Sequence, residues 1–398
     1  MKIKYILNVI FLLSLSACKT PYTPVPITAN NNYLVVEGLI NITDSTFINL
    51  SRTVNISAKT TVKPELKAVV TIESNSGSSY PLKEQGNGIY AAAPLNLSVS
   101  NQYRLRIKTA TGSTYTSDFT PAMVSPPVDS ISWKPTNTTL NIYVNTHDPK
   151  NATRYYRWDY SEEWEFRTDY DSFFLSDGLN IIPRDPTQHV YQCYAGDTSH
   201  IITVGTSTGL AQDVINQQLV NALNSDAEKI GIEYSILIKQ YALTKDAYDY
   251  WLLLKKNTEQ LGSIFDAQPS ASIGNIHNIN VPTEPVIGYI SVGTVTSQRI
   301  FIRKNQLPKW ITTPAYPVTP TSCTLDTVYY ILPNSNPYIF EQNLYINYKN
   351  LDFVSPSFQE IPVLPVDSKA LHPDYFSSRP FCVDCTLRGK TKPPVYWK

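Results

Sequence analysis

This 398-residue chain predicts a mostly-β protein: an N-terminal immunoglobulin-like β-sandwich followed by a larger β-rich domain with one or two helices. β-Branched and aromatic residues, 27 Tyr among them, recur between turn formers at short intervals. Prolines outnumber glycines, 29 to 15, which disfavours long helices. Several runs also alternate apolar and polar residues, the period of a half-buried strand.

At roughly 100–200 residues per domain, the length allows two or three domains. Lys plus Arg equals Asp plus Glu at 33 each, so no net field draws the chain to nucleic acid or to an anionic bilayer. Nucleic-acid binding is not expected.

Taken in order, Lys2 and Lys4 precede an apolar run from Tyr5 to Leu15 that is too short to span a bilayer, the layout of a secretory signal peptide. The run closes on Leu15-Ser16-Ala17-Cys18, which matches the lipobox of bacterial lipoproteins. Residues 1–17 are therefore expected to be removed and Cys18 to carry lipid on its sulfur and amino group. Several acyl chains on one residue exceed the two signals needed for stable anchoring, so the membrane is a partner through that anchor. No later stretch reaches the ~18 apolar residues of a spanning helix. Residues 18–32 hold three prolines without periodicity and read as a tether.

Residues 33–120 contain seven short strand-like runs: Tyr33–Ile40, Thr46–Leu50, Lys67–Glu73, Ser79–Leu82, Gly88–Ala92, Tyr103–Thr109 and Thr114–Phe119. Asn87-Gly88 and the polar turns at Gly77 and Gly112 separate them at hairpin-like spacing, the pattern of an immunoglobulin-like sandwich. From Tyr103 to Lys108 apolar and basic residues alternate strictly, and a solvated face accounts for the arginines. The Pro-rich stretch 121–127 marks the boundary of this domain.

Residues 128–398 form the larger domain. Between Arg154 and Arg167, Tyr156, Trp158, Tyr160, Trp164 and Phe166 share one face, interrupted by Glu162, while Arg157, Asp159, Glu163, Glu165 and Arg167 share the other. So regular a row is read as core. A helix is predicted over 244–261, with Thr244 as N-cap, Gly262 as stop and a broad apolar stripe through Ala247, Tyr248, Trp251, Leu252, Leu254 and Thr258. A second helix is predicted over Leu210–Leu223.

Cys193, Cys323, Cys382 and Cys385 are an even set in an exported chain, which implies two disulfides with three connectivities open. A metal site on Cys382-x-x-Cys385 with Cys323 or His372 lacks a second CxxC or paired histidines, and a redox role lacks the βαβ context. No metal or cofactor is expected. Gly205-Thr206-Ser207-Thr208-Gly209 satisfies G-x-S-x-G, but the alternating strands and helices that present a nucleophile elbow are absent. Gly389-Lys390-Thr391 lacks the leading glycine of a P-loop. His147, His189, His200, His277 and His372 include no i, i+4 pair. Glu162, Glu163 and Glu165, or Asp169 and Asp171, could pair as general acid and base or bind calcium. The sequence shows no defined cleft separation between them, Asp169-Tyr170-Asp171 lacks the spaced ligands and glycine of a calcium loop, and a solvated surface accounts for both sets. No catalytic residue is assigned.

The stretch from Tyr234 to Tyr241, the Tyr248/Trp251 helix, Asn257 to Ser270, Gly274-Asn275-Ile276, Pro285 to Tyr289 and Arg299 to Ile302 carry a resemblance, together with Val35-Val36-Glu37-Gly38, the lipobox and the ending Cys382 to Gly389 with Pro393, Pro394 and Trp397. The chain resembles the domain of unknown function 4249 family of Bacteroidetes envelope lipoproteins. That resemblance implies an exported lipoprotein, often encoded beside a TonB-dependent outer-membrane receptor, and supplies no reaction. The expectation is a lipid-anchored outer-membrane protein acting as a non-enzymatic accessory or binding protein for such a transporter or its ligand. A structural or adhesive envelope protein is the alternative, and a serine hydrolase using Ser207 the third reading. Lys19 follows the lipid cysteine and the tether lacks an acidic run, which leaves a periplasm-facing orientation open. A functional loop is sought at Phe265, Asp266, Gln268, Pro269, Gly274 and Asn275, a polar, turn-rich segment after the main helix; a structural turn is the competing reading.

Overall fold

The computed structural model describes residues 32–54, 62–172, 174–176, 181–185, 187–188, 190–259, 274–314, 323, 326–328, 359–362, 375–377 and 380–397. Among them, no helix is long and apolar enough to cross a membrane. Cys18 and the tether up to residue 31 lie outside the described residues.

The first sandwich comprises β1 (Leu34–Asn41), β2 (Thr46–Arg52), β3 (Lys63–Pro64), β4 (Val69–Ser74), β5 (Ser79–Gly86), β6 (Ile89–Ala92), β7 (Gln102–Lys108), β8 (Thr114–Ser117) and β9 (Thr120–Pro121). β1 pairs with β2, β2 with β6 and β6 with β5, while β4 pairs with β7 and β7 with β8, all antiparallel. These are the two sheets of a constant-type immunoglobulin domain. An added β4–β5 pairing joins them into one curled sheet. Alternation builds the core: in β7, Tyr103, Leu105 and Ile107 are buried, while Arg104 and Arg106 reach across to Glu73 at 2.7 and 3.8 Å. The β5–β6 hairpin turns through Asn87 and Gly88 at φ 50° and 79°, the left-handed pair that a two-residue turn needs to match strand twist.

The second unit begins with β10 (Val128–Pro135), β11 (Thr139–His147), β12 (Tyr155–Arg167), β13 (Phe174–Ser176), β14 (Ile181–Pro183), β15 (Gln192–Thr198), β16 (Thr203–Thr206), β17 (Val214–Asn224) and β18 (Glu233–Leu243). Helix α1 (Lys245–Glu259), β19 (Ile276–Asn278), β20 (Ser291–Gly293), β21 (Val295–Arg303), β22 (Asp326–Val328), β23 (Gln359–Pro362) and β24 (Tyr375–Ser377) follow. A three-stranded sheet, β10-β11-β17, faces a five-stranded one in which β12 lies between β18, itself flanked by β21, and the pair β15 and β16. Their shared core holds the expected aromatic row, Tyr156, Trp158, Trp164 and Phe166, against Leu140, Ile142, Val144 and Ile236. A small sheet orders β14-β13-β23-β24-β22.

Residues 214–224 form a strand, not the helix predicted over Leu210–Leu223. Two register shifts against β11, with Gln217 at φ 50°, break the alternation. The buried apolar residues Ile215, Val220 and Leu223 therefore fall five and three residues apart, without the strict period of two that marks a strand.

The first sandwich also extends beyond 33–120. β19 pairs antiparallel with β8 and β20 pairs parallel with β1, so a segment assigned from sequence to the second domain covers both edges of the first. An open edge would leave a row of backbone donors and acceptors unpaired. The join is close: Gly288 sits at φ +128°, where a Cβ would overlap the Val36 carbonyl, and a Cβ on Gly274 would overlap the Gly288 carbonyl. Residues 121–127 are pinned rather than loose. Met123 N donates to Val292 O at 3.0 Å, Ser125 Oγ to Gln240 O at 3.0 Å, and the Pro126 carbonyl accepts from Gln240 Nε2 at 2.8 Å.

Candidate functional site

A cleft of about 400 Å³ opens on the outer face of the five-stranded sheet. Its floor is the charged side of β12. Period-two alternation sends Trp158 and Trp164 inward and Arg157, Asp159 and Ser161 outward, opposite Tyr241, Lys239 and Leu237 of β18.

Helix α1 forms one wall. Thr244 is its N-cap as predicted, accepting from Ala247 N at 3.2 Å, and Ala247 and Tyr250 are its buried contacts. Tyr250 packs its ring against Tyr289 near the seam, centroids 5.3 Å apart, an anchor that the predicted stripe omitted. Trp251 faces the cleft. The guanidinium of Arg157 lies over two rings, 4.1 Å from the centroid of Trp251 and 4.5 Å from that of Tyr241, a doubled cation–π contact.

The opposite wall is the loop from Thr198 to Ile202. The far end of α1 holds it by both backbone groups of Ile202: its N–H donates to Glu259 Oε1 at 2.5 Å, and its carbonyl accepts from Lys255 Nζ at 2.7 Å. His200 stands at the rim with Nε2 2.9 Å from Asp197 Oδ1.

The electrostatics favour a cationic floor. Arg157 Nη2 donates to Asp159 Oδ2 at 2.8 Å, and its Nε is buried without a hydrogen-bond partner among the described residues. Lys239 is exposed and makes no ion pair among the described residues. Burial, reinforced by the charge of Asp159, pushes the Tyr241 phenol up to about 12, so it stays protonated near neutrality as a donor.

Other sequence candidates serve structure. Ser207 is buried, and its hydroxyl donates to Asp213, which also accepts from Tyr156 OH. An antiparallel strand precedes it and β17 follows, so the serine is not presented as on a nucleophile elbow. The cysteines pair Cys193 with Cys385 and Cys323 with Cys382, so the two cysteines of the CxxC bond to different partners and clip residues 380–397 to the second unit. Asp169 lies beside Cys323 and Cys382, whose sulfurs are bonded to each other and so are not thiolate ligands. Phe265, Asp266, Gln268 and Pro269, with the helix stop at Gly262, lie outside the described residues. Gly274 and Asn275 lie at the seam between the units, where their contacts are those of packing. Asn275 exchanges two bonds with the Ile290 backbone, each 2.9 Å, and Gly274 provides the close backbone approach.

Sequence reasoning also missed a buried polar cluster. Glu162, the interruption in the aromatic row, accepts from Tyr234 OH at 2.5 Å, Asn221 Nδ2 at 3.2 Å and Lys229 Nζ. Burial and the Glu162 charge hold the Tyr234 phenol well above its ordinary range. The one local signal was a glutamate on an otherwise aromatic face.

No curated protein matches the chain. Among solved structures, chitinase ChiA74 from Bacillus thuringiensis is similar at 14% identity over 51% of this chain and 30% of that one, with a TM-score of 0.15, too slight a likeness to bear on fold or chemistry. The model of the family described as "Domain of unknown function (DUF4249)" matches residues 19–299, which span the first sandwich, the cleft and the seam between the units, and the chain belongs to that family.

Proposed function

We propose that this protein is a lipid-anchored outer-membrane lipoprotein that acts as a non-enzymatic binding accessory, with a TonB-dependent transporter or that transporter's ligand as its partner. The observation that carries the reading is the cleft: rigid elements from two strands, a helix and a clamped loop converge on stacked aromatic and cationic groups. Such convergence of a few polar groups on a concave, partly apolar surface is the usual form of a binding site. The nucleophile motif at Ser207 lies outside this cleft, and its buried hydroxyl is engaged with Asp213. The lipobox at Cys18 and the Pro-rich tether support attachment to a membrane with the folded units held away from it.

The test is a mild-detergent isolation of the lipidated protein from its native outer membrane, with co-purifying proteins identified by mass spectrometry. A stoichiometric TonB-dependent barrel is the expected result. A protein that arrives without a barrel and binds nothing that the transporter carries would overturn the reading.

A further inference from the structure

We infer that the cleft over β12 takes the oxyanionic end of a small organic ligand, a carboxylate or a phosphate on an apolar stem; this rests on the binding role proposed above and gives it a ligand chemistry. Three observations converge. The Arg157 guanidinium lies over two rings, 4.5 Å from the Tyr241 centroid and 4.1 Å from that of Trp251, and its side chain stays partly exposed to the cleft. A guanidinium edge is a planar fork of N–H donors that matches a carboxylate or phosphate and has no comparable complement among neutral groups. The rings also fix the orientation of the fork, so little side-chain freedom is lost on binding.

The second observation is charge. Arg157 and Lys239 project from the floor, and His200 stands at the rim. Of the lining residues, Asp159 alone is acidic, and it engages one nitrogen of Arg157. Lys239 lies directly across from Asp159 in the β12–β18 register, yet makes no ion pair with it. A cation at that position is available to a second oxyanion oxygen.

The third is the remaining lining. Ser161, Thr198 and Ser199 add hydroxyls, while Ile201, Ile202 and the indole of Trp251 present an apolar side. The site is therefore divided: charge and hydroxyls on the floor, aliphatic and aromatic surface on the walls. An anion joined to an apolar stem meets both, whereas an inorganic ion meets only the floor. Because Lys255 and Glu259 clamp the backbone of Ile202, the apolar wall is in place before any ligand arrives.

The test is calorimetric titration of the full lipidated chain in detergent with 4-phenylbutyrate, with phenyl phosphate and with neutral 4-phenylbutyramide. At least one anion is expected to bind saturably, about tenfold or more tighter than the amide, and the better of the two distinguishes a carboxylate from a phosphate site. Arg157→Lys keeps the charge and loses the fork, and is expected to weaken that anion about tenfold while leaving the amide unchanged. Lys239→Gln, at an exposed position that does not endanger folding, is expected to weaken the anion alone and carries the test if the Arg157 variant fails to fold. Equal binding of amide and anions, no saturable binding of either anion, or anion binding unchanged in Lys239→Gln would each overturn the inference. A barrel that still co-purifies when no anion binds would leave the accessory role standing and remove only this ligand class; anion binding without a barrel would do the reverse.

Discussion

Among the described residues, the first sandwich holds one largely buried charged pair, Arg52 with Glu65 at 2.6 Å, whereas the second buries Glu162, Glu165, Asp213, Glu233 and Asp384, with Glu162 and Asp213 bonded to its tyrosines. The first sandwich closes by hydrophobic burial and by borrowing β19 and β20 for its edges. The second closes through polar partners that tie its two sheets: Asn221 of β17 and Tyr234 of β18 meet on Glu162 of β12. Apolar contacts are non-directional and tolerate small shifts, while a buried carboxylate must meet its donors at fixed positions. Directional fixing therefore surrounds the strand whose other face forms the cleft, and the first sandwich serves as the support.

The largest effect is expected at the seam. Gly288→Val adds strain at φ +128° and a clash with the Val36 carbonyl, and should cost on the order of 4–5 kcal/mol in urea denaturation. Hydrogen exchange should show β1 and β20 losing protection while β12 and β18 keep theirs. Simultaneous loss across both units would mean that the sandwiches unfold as one, and the contrast between them would fail.

Next is Gln240, which is fully buried between the units. Its Oε1 accepts from Trp158 Nε1 at 2.8 Å, and its Nε2 donates to the Pro126 carbonyl at 2.8 Å and Thr146 Oγ1 at 3.0 Å. Gln240→Leu keeps the bulk and strands those partners, for a loss of about 3 kcal/mol by urea denaturation, with a change in the near-UV signal of Trp158. A loss below about 1 kcal/mol would show that apolar burial, not directed bonding, holds this unit.

Replacing Cys193 and Cys385 together by Ser should cost roughly 2–4 kcal/mol, because their bond closes a separation of 192 residues. Limited proteolysis should then cut first within 380–397. An unchanged cleavage pattern would assign the hold on that segment to the Trp397 contacts with Tyr194 and Phe301 instead.

The smallest effect concerns pH. Burial, with the nearby Glu233 charge, holds the Glu165 carboxyl above the ordinary carboxylate range despite Arg167. A folded-state value above the unfolded one means that this group favours folding most below its unfolded value, and the benefit is lost as pH rises through the folded value. Glu165→Gln should therefore gain stability relative to the parent as pH rises from 4 to 7. Parallel stability curves for parent and variant over that range would count against the burial argument.

Much of the fold was legible because its causes are local. The alternation from Tyr103 to Lys108, the turn at Asn87-Gly88 and the cap at Thr244 each follow from a few adjacent residues. The strand at 214–224 was misread because its bulges erase the alternation on which such a reading depends. Of the site, the outward set Arg157 and Asp159 was readable, but not that Arg157 would lie over Tyr241 and Trp251, since those rings come from a neighbouring strand and from a helix beyond it.

By itself, the sequence determined a β-rich chain with a sandwich at its start, an aromatic inner face on β12 and a helix beginning at Thr244, because side-chain period and capping are properties of a single segment. Only the tertiary structure decided which cysteines pair, that Gly274 and Gly288 bring the later chain back against β1, that Glu162 has donors, and that a solvated charge row becomes a cleft. Each of those depends on partners far apart in the chain, brought together by burial and register, and nothing in either partner's local sequence encodes the other's address.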